Sequence, residues 1–353
     1  MRSSPEDLRT CYELLPSVSR TFALNIRILP GELRPAVTVA YLLFRLADTF
    51  EDAPGLAPEE RTAAFDAFLD RLDGAPRLAL PEGATVRLRD RVPPAELRLV
   101  RDAERVFRSY EQLPGDTRAI IGSHVAETAR GMERFARERT QSGLLRLETW
   151  KDLDEYCYYV AGTIGIMLTR LFATHRPRVA RTDVRKLTAL STSFGRGLQL
   201  TNILKGVGPD RREGRVYLPA EALARHASGP SELLERESRT AVAAVVQEII
   251  PKALQDLEDA LRYTTLLPRR EPRLRLFCLW PLFAAVRTLG VISDQPGVVD
   301  EHAQPKISRA DLYREMALAI AHVGSNGRLR RRFERFRRDL FPARARREVW
   351  AGS

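Results

Sequence analysis

Apolar residues recur at three- and four-residue intervals along almost the whole chain, as at Phe65, Phe68, Leu69 and Leu72, or at Leu254, Leu257 and Leu261. That interval follows the turn of an α-helix and gives each segment one apolar stripe. Alternating runs closed by hairpin turns, which would mark strands, are scarce. Pro and Gly breaks divide the pattern into predicted helices over Pro5–Leu15, Leu33–Glu51, Pro58–Leu72, Ala95–Leu113, Asp116–Arg139, Thr149–Leu171, Val184–Lys205, Ser231–Leu266 and Pro272–Leu289. The expected fold class is therefore all-α. No internal repeat and no long linker interrupts the chain, so residues 1–353 read as a single domain. The stretch from Gly74 to Pro94, dense in Pro, Gly and charge, reads as a surface excursion.

Near the C-terminus, GRLRRRFERFRRDLF predicts a basic helix at about 327–341 with Leu329, Phe333, Phe336 and Leu340 on one stripe. Such a stripe either packs on the protein's own core, the favoured reading, or lies on an anionic membrane surface.

With 44% hydrophobic and 29% charged residues, the chain is of ordinary globular composition. The longest apolar runs, Tyr158–Thr169 and Leu276–Val286, fall short of the roughly 20 residues that cross a bilayer, so no span is expected. The N-terminal MRSSPEDLRTCYELL lacks the basic and apolar regions of a secretory signal, which predicts a cytoplasmic location, with peripheral contact to a membrane surface as its variant. The three cysteines and five histidines are scattered, so neither a disulfide framework nor a zinc site is indicated. A net charge of +11 favours anionic partners: phosphorylated substrates, acidic lipid or nucleic acid. Nucleic acid is not expected, because no recognised binding motif accompanies the charge.

The first candidate site closes the apolar run TVAYLLFRLA with Asp48, Glu51 and Asp52. Residues three and four apart share a helix face, so these carboxylates are expected to converge, and Mg²⁺ takes one or two carboxylates together with substrate phosphates. Spacing alone is weak support, since Asp66 and Asp70 have the same relation on an evenly amphipathic helix. Asp48 differs in its approach, where Tyr41 and Arg45 form a polar stripe on an otherwise apolar helix. Such a stripe costs free energy unless it is paired or lines a cavity. Upstream, Ser19, Arg20, Thr21 and Phe22 offer a hydroxyl, a phosphate-binding fork and a ring; the competing reading makes Ser19 a helix N-cap, and local sequence favours it.

The second candidate lies in FGRGLQLTNILKGVGPDRREGRVYLP. Gln199 and Asn202 sit one turn apart on a mostly apolar helix, where buried amides would need partners. Gly208-Pro209 is expected to end or distort that helix and leave Asp210 on a loop.

The segments SRTF, YLLFRLADTFED, DEYCYYVAGTIGIMLTRLF and LQLTNILKGVGPDRREGRVYLP, in this order and spacing, resemble the squalene and phytoene synthases. They cover roughly residues 8 to 220, and FCLWPLFAAVRTL with KISR at Lys306 resembles the later part of squalene synthases in particular. The resemblance implies a helical isoprenoid synthase fold around an apolar cavity. It implies Mg²⁺ at two aspartate-rich motifs, matched here by Asp48, Glu51 and Asp52 and by Asn202 and Asp210. It also implies prenyl diphosphate substrates gripped by Ser19, Arg20, Tyr41, Arg45, Gln199, Asn202, Lys205 and Arg215, with Phe22 and Tyr159 near the cationic centres. The implied reaction joins two prenyl diphosphates, farnesyl diphosphate foremost, head to head through a cyclopropyl diphosphate to a C30 or C40 product. NADPH reduces the final cation in squalene synthases, and no GxGxxG fingerprint marks a site for it here.

The chain departs from the family at its second motif. Where the family has DxxxD, this chain has Gly206-Val-Gly-Pro-Asp210, preceded by Lys205 in place of Arg, and Glu213 compensates only if the loop after Asp210 folds back. The departure keeps three readings open: the full reaction, an altered acceptor or single half-reaction, and a non-catalytic member that binds a partner protein or prenyl lipid.

Overall fold

A computed structural model describes residues 5–53, 56–89, 91–142, 145–226, 239–294 and 305–340. In chain order the helices are α1 (Pro5–Val18), α2 (Arg20–Arg27), α3 (Leu33–Asp52), α4 (Pro58–Leu72), α5 (Ala84–Leu88), α6 (Pro94–Arg101), α7 (Ala103–Glu111) and α8 (Gly115–Ser142). Next comes a long helix in three parts: α9 (Trp150–Cys157), a π-helical turn (Tyr158–Gly162) and α10 (Thr163–His175). Then follow α11 (Pro177–Ala180), α12 (Val184–Arg212), α13 (Ala220–His226), α14 (Arg239–Leu266), α15 (Pro272–Asp294), α16 (Arg309–His322) and α17 (Asn326–Leu340). Two two-residue strands, Leu145–Arg146 and Arg215–Val216, are the only β structure among the described residues. The all-α expectation holds.

Several boundaries differ from the periodic pattern. The segment expected as one helix over Ala95–Leu113 is two, because the chain leaves helical geometry at Asp102. The helix expected to stop at Lys205 runs through Gly208 and Pro209 to Arg212, so Asp210 is helical and not on a loop. A proline there removes one backbone bond near the helix end, and Val207 and Gly208 are buried, so packing holds the last turn in place. Helices α5, α11, α13 and α16 were not foreseen, while the start of α2 matches the N-cap reading of Ser19; the part of the predicted Ser231–Leu266 helix before Arg239 lies outside the described residues.

Contacts divide the chain into two compact units, Met1–Leu145 with Thr163–Val184, and Arg146–Gly162 with Arg185–Ser353. In the first, α3 is the central element: it packs on α1, α4, α7 and α8, and Leu42, Leu43, Leu46, Ala47 and Phe50 are fully buried. Phe50 meets Phe65 and Phe68 edge to face at 6.4 and 6.3 Å. Asp66 and Asp70 of α4 are exposed, as an ordinary solvated face should be.

In the second unit α14 and α15 pack together, with α16 and α17 against α15. The Arg196 guanidinium donates both its Nε and Nη2 protons to Asp256, at 2.7 and 2.5 Å, tying α12 to α14. The backbones approach closely at Gly195, where a Cβ would stand 2.1 Å from the Ala161 carbonyl of the π turn. Any side chain there would displace one of the two helices.

The two apolar runs judged too short for a membrane belong to longer helices, Trp150–His175 with 26 residues and Pro272–Asp294 with 23. By length and composition both are sufficient to cross a bilayer, which corrects the expectation drawn from the runs alone. Much of α15 is nonetheless buried within its unit, including Phe277, Leu279, Leu282 and Phe283. The apolar stripe of α17 turns inward too, with Leu329 and Phe333 buried and Phe336 stacked 6.2 Å from Phe283.

Candidate functional site

The chemistry-bearing residues of the first unit gather along one edge of α3. At about 100° per helical residue, Tyr41, Arg45, Asp48 and Asp52 fall within an arc of about 60°. Glu51 projects about 60° away from Asp48 on the same count and is buried. Asp48 and Asp52 are thus the carboxylates of this edge nearer to solvent, with Glu51 beside them and buried.

The stripe is held from two sides. The Ser19 hydroxyl accepts the Phe22 N–H at 3.3 Å, so it caps α2 as the local reading expected. It also hydrogen-bonds with Tyr41, so the N-cap and site readings are both satisfied by one residue. The Phe22 ring, partly exposed, lies 5.4 Å from the Tyr41 ring, and Arg20 is exposed at the head of α2. On the other side, Arg45 Nη1 donates to Asp48 Oδ2 at 3.2 Å while Nη2 donates to Glu96 of α6. Glu96 was not legible as a partner, since nothing in the sequence pairs it with a residue 51 positions earlier.

Electrostatics follow this geometry. Burial pushes the Asp48 carboxyl up to about 6 against the pull of Arg45, and the neighbouring Asp52 charge adds to the rise. Burial disfavours the Arg45 charge, but Asp48 and Glu96 outweigh it and hold the guanidinium above its ordinary value. Burial likewise raises the Tyr41 phenol despite Ser19 and Arg45. A further cation beside Asp48 and Asp52 would favour the charged form that burial disfavours. Two carboxylates with an adjacent guanidinium suit Mg²⁺ shared with a diphosphate. They do not make a cage of their own: among the described residues no three Asp, Glu, His or Cys groups could hold a metal ion.

In the second unit Asn202, Gly206 and Asp210 follow one another at four-residue spacing along α12. Asn202 is exposed and Gln199 and Lys205 are half-buried, so the amides are not the buried pair that the apolar pattern suggested. The Asp210 carboxylate occupies the space above Gly206, with Oδ2 2.5 Å from where a Cβ would stand. After Arg212 the chain turns back at Gly214, whose φ of +70° suits glycine. That turn brings Arg215 Nη2 to Asp210 Oδ1 at 3.0 Å and to Glu213 Oε2 at 2.6 Å. The loop therefore does fold back, and Glu213 joins Asp210 on one guanidinium. Asp210 and Arg215 form the polar end of a cavity of about 40 Å³ that Ile203, Val207, Tyr217 and Leu218 also line. Tyr159 lies on the π turn, half-buried, with its ring 5.4 Å from that of Tyr158. Such turns are frequent at functional sites, and no sequence signal marked this one.

The family model for squalene/phytoene synthase matches residues 15–311, most of the chain and both of these regions. The chain belongs to the squalene/phytoene synthase family. It is 28% identical over 306 residues to the squalene synthase of Schizosaccharomyces pombe, matching 87% of this chain and 64% of that protein. It is 30% identical over 285 residues to squalene synthase 1 of Arabidopsis thaliana, matching 80% of this chain and again 64% of the relative. The chain thus spans less than two thirds of the length of these curated relatives. Among solved structures, TcSQS in complex with the ligand BPH1237 aligns with a TM-score of 0.75 at 25% identity, covering 96% of this chain and 98% of that one.

Proposed function

We propose that the protein is a Mg²⁺-dependent prenyltransferase that joins two prenyl diphosphates head to head, farnesyl diphosphate first among them, through a cyclopropyl diphosphate to squalene or a related product. The observation that carries this reading is the α3 stripe, in which Tyr41 bonds Ser19, Arg45 pairs with both Asp48 and Glu96, and Asp52 follows on the same edge, in a member of the squalene/phytoene synthase family. A polar stripe of this kind on a core helix costs free energy unless it is paired or used, and holding an anion is a clear use.

Asp48 and Asp52 would hold Mg²⁺ at the first motif, and Asp210 with Asn202 at the second. When bound, the metal supplies neutralisation of charge on the departing diphosphate. Arg45, Arg20, Ser19 and Tyr41 orient one diphosphate, and Lys205, Arg215 and Gln199 serve the second region. Phe22 and Tyr159 offer ring faces to allylic cations. NADPH is proposed as the reductant of the last cation where the product is squalene.

The test is diphosphate release from farnesyl and geranylgeranyl diphosphate with Mg²⁺, by the wild type and by Asp48→Ala. Release that disappears in the variant supports the proposal. Tight binding of both substrates with no release under any metal condition would leave the non-catalytic reading standing instead.

A further inference from the structure

Helix α16 carries Tyr313 and Ile320 at 60% and 54% exposure, two of the few large apolar side chains left in water among the described residues. They belong to one face. At about 100° per residue, the exposed positions Arg309, Ile320, Tyr313, Ala317, Ala310, Ala321 and Arg314 follow one another around an arc of about 140°. The apolar members fill its middle and the two arginines form its edges. The opposite face is used internally: Ala319 and Glu315 are buried, Glu315 pairs with Arg332 of α17, and Asp311 pairs with Arg287 of α15 at 2.9 Å. The helix is therefore fixed on its unit with the apolar arc outward.

The surroundings are strongly basic. Residues 305–340 hold ten Lys and Arg against four Asp and Glu, so this short C-terminal part supplies over half of the net charge of +11. With the α17 aromatics turned inward, the exposed positions of that helix include Arg328, Arg330, Arg331, Arg335 and Arg338. An apolar strip edged by arginines and followed by a basic helix complements an anionic lipid surface. There Tyr and Ile enter the headgroup boundary, and nearby cations are drawn to the anionic headgroups.

We propose that the outward face of α16, centred on Tyr313, Ala317 and Ile320 and edged by Arg309 and Arg314, docks the protein on anionic membrane surfaces. Docking is thereby assigned to α16, while the α17 stripe first considered for that role is core.

The test is co-sedimentation of the full chain with phosphatidylcholine vesicles containing none or 30% phosphatidylglycerol, for the wild type, Tyr313→Glu/Ile320→Glu and Arg309→Glu/Arg314→Glu. Both variants should keep the wild-type circular dichroism and melting temperature, because the altered side chains are exposed. Binding is expected only to the anionic vesicles, reduced at least tenfold by either double substitution, and weakened by raised salt. Equal binding to neutral vesicles, no binding by the wild type, or unchanged binding by both variants would each overturn the proposal. So would light scattering that shows a wild-type dimer lost in Tyr313→Glu/Ile320→Glu, which would make a second copy of the chain the occupant.

Discussion

The two motif-bearing helices hold their carboxylates in opposite ways. On α3, Asp48 is joined to a cation on its own helix, which Glu96 holds from across the unit, and burial keeps the acid reluctant to ionise. On α12, Asp210 lies over a glycine and meets its cation only through a loop that turns back at Gly214. The first arrangement lies along one edge of a helix whose other faces are buried in the core. The second depends on a short turn that brings Asp210 and Glu213 to one guanidinium. The two helices therefore differ in how each carboxylate meets its cation: within one helix on α3, across a turn on α12.

The largest effect should come from breaking the α3 side. Asp48→Ala is expected to reduce turnover by at least about a thousandfold, since it removes one of the two carboxylates proposed to hold the metal and leaves Arg45 to Glu96 alone. Asp210→Ala should cost less, about ten- to a hundredfold, with a further loss when Glu213→Ala is added, measured as diphosphate release at saturating Mg²⁺. Equal losses at both sites would erase the contrast between the regions.

Gly206→Asp tests the other side of the comparison. Its Cβ would press on the Asp210 carboxylate, the mobile end of a side chain, so the protein should fold, and Asp210 should turn away from Arg215. The expected outcome is a lower Mg²⁺ requirement, read from the metal dependence of the rate. An unchanged dependence would mean that Asp210 and Glu213 already suffice.

Glu96→Gln should lower kcat about tenfold with a small change in KM, because it frees Arg45 without removing it. Asp48→Asn should move stability the other way. A folded-state carboxyl raised to about 6 carries a penalty that is absent at low pH and grows as pH rises from the ordinary carboxylate range through about 6. With a third of the side chain in solvent, screening leaves about 1 kcal/mol, a gain of about 1–3 °C in melting temperature at pH 7.5 and none at pH 4. A loss of stability at pH 7.5 would show that Asp48 is a structural residue.

The smallest effect concerns the cysteines, which belong to neither motif. Burial pushes Cys11 up to about 11 and Cys278 up to about 12, and raises Cys157 as well. All three should stay thiols at pH 8 and resist thiol reagents until denaturant is added.

Much of this was legible in the chain because apolar spacing dictates helices and the α3 stripe breaks that spacing visibly. Tyr41 and Arg45 stand out since polar residues on a buried helix need a reason. The position of Asp210 was misread because Gly208 and Pro209 argue locally for a helix end, while burial of Val207 and Gly208 argues for continuation. Glu96, the π turn at Tyr158–Gly162 and the inward turn of Glu51 arise from tertiary packing. The basic C-terminus was recognised by charge, but only the fold shows that its aromatics face inward and that the exposed apolar strip belongs to α16.

The most direct measurement is mass spectrometry of the products formed from farnesyl diphosphate and Mg²⁺, without and with NADPH. The account predicts a C30 cyclopropyl diphosphate or its rearranged product without NADPH, a reduced C30 hydrocarbon with it, and neither from Asp48→Ala. Recovery of unchanged farnesyl diphosphate from the wild type, under conditions where it is bound, would contradict it.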